Sequence, residues 1–146
     1  MDGGTNKAPD PRLANLDRWA AEFEAADEVF EALRPGARLG FLPRADADAM
    51  AGTLLVWEAT RSGMRADLRP FESYIDAGVD IIFVPEAPAL RRLHDAEPGS
   101  ALATIRSLVR ESSVIFFSLR RGRELRAFGY EPLLDALGLA FLGACR

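Results

Sequence analysis

Arg120, Arg121, Arg123 and Arg126 form the densest basic feature of this chain. A guanidinium offers a planar fork of donors that suits phosphate or carboxylate, so such a group could hold a small anion or grip an acidic protein surface. The same charges at a turn could instead keep a sheet edge from pairing with other chains. Other chemistry-bearing types are sparse. His94 is the single histidine, so a zinc site built from several imidazoles is excluded and a nucleophilic triad would have one base to draw on. Adjacent Asp95 would not face it on a helix. Cys145 stands alone and can form no internal disulfide. No serine occupies a G-x-S-x-G elbow and no glycine-rich phosphate loop occurs. The run DADAM (46–50) lacks the spacing of a calcium loop, and capping of a helix by Asp46 or Asp48 is the expected role. No cofactor and no metal is predicted.

The basic cluster lies between two apolar runs, VIFFSL (114–119) and a later stretch ending in LGLAFLGAC. Val114 to Gly129 reads as two antiparallel strands joined at Gly122, with the first strand interior because both its faces are apolar. Glu131 to Cys145 reads as one closing helix, with Pro132 in its first turn. Leu133, Leu137 and Phe141 supply its bulk, and its small residues allow close approach of another element. That face either packs on the chain's own sheet or forms a homodimer seam.

Upstream, Leu13 to Arg34 has apolar residues at intervals of three and four with acidic residues between them, a helix stopped by Pro35 and Gly36. RLGFL (38–42) and VDIIFV (79–84) are short apolar runs bounded by Gly or Pro, as buried strands are. Asp46 to Ser62 reads as a helix with Met50, Leu54, Leu55 and Trp57 on its buried side. Met64 to Arg69 alternates with a period of two and reads as a half-exposed strand ended by Pro70. Short helical turns are expected at Phe71–Asp76 and Ala89–Asp95, and a helix capped by Ser100 at 101–111.

Strands separated by helical segments predict an α/β or α+β fold, a mixed sheet of four or five strands in one domain at 13–146, preceded by a disordered tail at 1–12. The segment VIFFSLRRGRELRAFGYEPLLDAL resembles the C-terminal hairpin and covering helix of thioredoxin-like folds. RLGFL and the Asp46–Ser62 helix would then take the places of that family's active-site strand and helix. The resemblance implies a layout and no activity, because no Cys-x-x-Cys follows RLGFLP and thiol–disulfide exchange needs a suitably placed thiolate.

The 146 residues carry a net charge of -4 and 49% hydrophobic content. Residues 1–60 hold 11 acidic and 6 basic side chains, whereas residues 101–146 hold 4 and 7. This asymmetry could orient head-to-tail contacts or be two solvated faces. An acidic chain whose arginines lack interleaved aromatics is not expected to bind nucleic acid. The first residues carry no apolar signal core, and no window is long enough to cross a membrane, so a cytoplasmic protein is expected. Together these features predict a non-catalytic, protein-binding domain of an assembly, chaperone-like or regulatory kind, acting on a protein partner or as a homodimer. The alternative is a small enzyme that handles an anionic metabolite with Arg and Asp/Glu.

Overall fold

The computed structural model describes residues 10–144. It is an α/β fold built on one five-stranded mixed sheet in the order β3-β2-β1-β4-β5. The strands are β1 (Arg38–Phe41), β2 (Thr53–Thr60), β3 (Gly63–Pro70), β4 (Ile81–Pro85) and β5 (Val114–Ser118). β1 and β4 run parallel, and every other neighbouring pair is antiparallel. Around them in chain order lie α1 (Pro11–Ala14), α2 (Leu16–Ala25), α3 (Asp27–Phe30), α4 (Arg44–Ala49), α5 (Ala87–Asp95), α6 (Ala101–Arg110), α7 (Gly122–Ala127), α8 (Glu131–Ala136) and α9 (Phe141–Ala144).

The expected strands at RLGF, MRADLR, IIFV and VIFFS are all present, as is the 101–110 helix. Several expectations are corrected. Asp46–Ser62 is not one helix: α4 ends at Met50, which takes a left-handed φ of 51°, and the chain continues as β2. β2 is sandwiched between β1 and β3, and six of its eight residues are buried. With both faces covered, a strand needs no alternation, so its apolar run reads equally well as a helix. Asp46 consequently lies inside α4, whose N-cap position is Pro43, and Asp48 pairs with Arg44 at 3.2 Å.

The hairpin is also elsewhere. Ser62–Gly63, expected to end a helix, falls at the β2–β3 hairpin, whose turn is Arg61–Ser62 and where Thr60 Oγ1 donates to the Gly63 carbonyl at 2.6 Å. The expected second strand after Gly122 is α7. Glu124 sits at N3 of that helix, and its Oε1 accepts from the Arg121 amide at 2.9 Å, so the first turn is capped by its own sequence. The strand–turn–strand that carried the resemblance to thioredoxin-like folds is therefore not formed, and β5 is an edge strand, not an interior one.

The long N-terminal helix is divided. Asn15 caps α2 by accepting from the Arg18 amide at 3.3 Å, and Ala26 leaves helical geometry before α3. α1 begins at Pro11, two residues inside the segment expected to be a disordered tail; residues 1–9 lie outside the described residues. The closing helix is likewise broken: Gly138 adopts φ 74° and separates α8 from α9. Cys145 lies outside the described residues. No helix forms at Phe71–Asp76, where the chain makes a turn.

The two sheet faces are covered unequally. On one, Leu39, Phe41, Leu55, Trp57, Ile81 and Phe83 meet the apolar sides of every helix from α1 to α8 except α4. Trp57 is at the centre, with Trp19, Phe23, Phe30 and Phe41 rings 4.5–5.8 Å away. On the other face Leu54, Val56, Ile82 and Val84 are buried under Leu42, Ala47 of α4, Phe71 and Val79, with Tyr74 and Ala77 packed against them. Among the described residues no helix covers β5 on this second face.

Candidate functional site: the open edge at β5

β5 pairs with β4 on one side and, among the described residues, with no strand on the other. Along it, Ile115 and Phe117 lie on the same face as Val84 and Ile82, opposite the main helix layer, with Leu119 next in phase. They are 38%, 45% and 40% exposed. The Tyr74 ring packs edge-on against Phe117 at 5.7 Å, and Tyr74, Ile75, Val79 and Leu119 line an open cleft of about 370 Å³ that ends at Arg120. Ile75 is 94% exposed. Apolar side chains crowded onto one strand and its neighbouring loop make a contiguous patch, unlike scattered single exposures.

The backbone beneath the patch is also open. Leu119 N–H donates to the Asp80 carbonyl at 2.8 Å and Glu86 N–H to the Ser113 carbonyl at 3.3 Å. Alternation along an antiparallel pair then turns the amides and carbonyls of Val114, Phe116 and Ser118 away from β4. No proline, bulge or charged side chain interrupts VIFFS, so these protections of an edge are missing from the strand itself. On the helix-covered face Phe116 reaches the Phe141 ring at 6.2 Å, and Phe141 is itself half exposed.

The four clustered arginines do not converge. Arg120 turns toward β4, donating from Nε to Asp80 Oδ1 at 3.0 Å, and lies 5.9 Å above the Phe128 ring. Arg126 Nη1 donates to the Gly143 carbonyl, tying α7 to α9. Arg121 and Arg123 are exposed. Only Arg123 and Arg126 lie on α7, and the group is divided by its partners, with Arg120 held at Asp80 and Arg126 at the Gly143 carbonyl. Of the expected seam residues, Leu133 and Leu137 are fully buried in the chain's own core, and Phe141 alone is at the surface. The geometry thus moves the exposed apolar surface from the closing helix to β5.

Two buried carboxylates were not legible as site residues. Asp80 is 3% exposed and receives the Arg38 amide at 2.9 Å, Arg120 Nε, and the Tyr130 hydroxyl at 2.6 Å. Burial, the Asp80 charge and that hydrogen bond all push the Tyr130 phenol upward, so it stays protonated. Glu58, on β2, is held by Arg38, Arg65 and Arg69 at 3.0–3.1 Å. Burial alone would raise its carboxyl, but hydrogen bonds from Arg65 and Arg38 outweigh that and hold it below its ordinary range. Each of these carboxylates is saturated by its neighbours, which is the arrangement of a structural tie. His94 lies exposed on α5, and the Arg18 guanidinium bonds its carbonyl at 3.0 Å. Among the described residues no cluster of three or more His, Cys, Asp or Glu could hold a metal, and no helix is long and apolar enough to cross a membrane.

No family model and no curated protein matches this chain. Among solved structures, it is similar to the solution structure of a conserved hypothetical protein and candidate sterol carrier protein from Thermus thermophilus. The two share 14% identity over 92% of this chain and 93% of the other, with a TM-score of 0.42. At that level of similarity the sterol-carrier description stays with that protein.

Proposed function

We propose that the protein acts by binding another polypeptide, as an assembly or regulatory factor without a catalytic step, and that the binding surface is the β5 edge. The observation that supports this reading is the coincidence, on one strand, of outward-turned backbone groups with exposed Ile115, Phe117 and Leu119. An extended segment laid along Val114–Ser118 would gain main-chain hydrogen bonds from the outward groups and side-chain contacts from the apolar face. The alternative of an enzyme acting on a small anion has less support, because Arg120 is committed to Asp80 and Arg126 to Gly143.

Selection of displayed random peptides against the full chain tests the reading. Enriched peptides should be extended and apolar, and their binding should fall by about tenfold or more on Phe117→Lys. Peptides that bind wild type and Phe117→Lys equally would sink it.

A further inference from the structure

The proposed edge has a property that points to its occupant. Antiparallel pairing of β5 with a second β5 about a two-fold axis through Phe116 sets Val114 opposite Ser118, Ile115 opposite Phe117, and Phe116 opposite its own counterpart. This register pairs every residue of one strand with a residue of the other. The outward groups of Val114, Phe116 and Ser118 then meet each other, as hydrogen-bonded positions of an antiparallel ladder must. Ile115 and Phe117, the two half-exposed apolar residues of the strand, become direct cross-strand neighbours at a non-hydrogen-bonded position, where side chains come closest. Both sheet faces benefit, since Phe116 and the exposed Phe141 beside it would approach their counterparts across the axis.

Charge selects the direction of pairing. The strand runs from Glu111 and two serines at its start to Arg120 and Arg121 at its end. Parallel pairing would stack arginine on arginine. In the antiparallel register the exposed Arg121 of each copy falls opposite the other copy's exposed Glu111, which follows Arg110 in the chain and is paired with Arg92. An isologous contact of this kind closes after two copies and leaves no further β5 edge to extend.

We infer that the β5 edge is occupied by a second copy of this chain, paired antiparallel in the register that centres on Phe116, so that two five-stranded sheets join into one. The inference rests on the proposed role of the β5 edge and names its partner.

Sedimentation of the full chain across micromolar concentrations should show a dimer, and Ile115→Lys or Phe117→Lys should return it to monomer with an unchanged circular dichroism spectrum. Register is read by crosslinking in a Cys145→Ser background. Chains carrying Ile115→Cys mixed with chains carrying Phe117→Cys should give a disulfide-linked mixed dimer, and neither variant alone should crosslink comparably. A monomer at all concentrations, a dimer indifferent to both lysine variants, or equal crosslinking of each variant with itself would overturn the inference. Peptide binding that persists at β5 in a strictly monomeric protein would end self-pairing and leave the strand-addition reading standing.

Discussion

The Tyr130 hydroxyl donates to Asp80 Oδ2 at 2.6 Å, linking the N-terminus of α8 to the residue just before β4, 50 positions earlier. The same carboxylate receives the Arg38 amide at the start of β1 and Arg120 just past β5. One buried anion therefore ties three strands and a helix at one end of the sheet. Tyr130→Phe removes one hydrogen bond to a charged acceptor and should cost about 1.5 kcal/mol. Asp80→Ala strips the partner from Arg38 N, Arg120 and Tyr130 together and should cost about 3 kcal/mol or more. Urea denaturation of both variants checks the order.

Glu22 of α2 plays a similar part for α6. Its two carboxylate oxygens accept from Gly99 N at 2.9 Å and Ala101 N at 3.0 Å, so the start of α6 is capped from another helix. Ser100 occupies the N-cap position, but its hydroxyl is turned to the Glu97 carbonyl at 2.6 Å. Glu22→Ala should therefore destabilise by about 1–3 kcal/mol, and Ser100→Ala by less. Thermal melts of the two variants side by side distinguish the true cap.

Stability should fall in acid partly through Glu58. Its folded-state carboxyl is held below the ordinary value of about 4.3. A lowered folded pKa means that the contribution is present above the unfolded value and is lost as pH drops through the folded one. Denaturation midpoints of wild type should accordingly decline below about pH 4, and Glu58→Gln, weaker at neutral pH, should show a shallower decline. Equal slopes for the two proteins would show that other carboxylates set the acid limb.

The closing segment and the edge strand should respond in opposite ways to mutation. Leu133 and Leu137 are fully buried, so Leu133→Ala should cost about 2–5 kcal/mol. Phe117 is half exposed, and Phe117→Lys should change the stability of the isolated chain by no more than about 0.5 kcal/mol. Chemical denaturation at concentrations low enough to hold the chain monomeric separates these effects from association.

Much of the fold was readable in the chain alone. RLGF, IIFV and VIFFS are apolar runs bounded by Gly, Pro or Ser, MRADLR alternates, and the 101–110 segment has a helical period; each forms the element its pattern implies. Local sequence is enough there because backbone preference and burial agree. It misled at Thr53–Thr60, where neighbours on both sides bury Leu54 and Leu55 alike and erase the alternation that marks a strand. It misled again at Gly122–Ala127, where a glycine between charged residues suits a turn and a helix start equally well.

What the amino-acid order determined unaided was most of the element content, the α/β class and the lack of any nucleophile, metal or phosphate-loop pattern. Tertiary structure alone decided which strand became the edge. An apolar strand is interior only if further chain arrives to cover it, and residues 122–127 coil away from β5 toward the helix-covered face of the sheet. The partners of Asp80 and Glu22 were hidden for a related reason: they lie 40 to 79 residues away in sequence, and only the folded chain brings a buried charge to the groups that neutralise it.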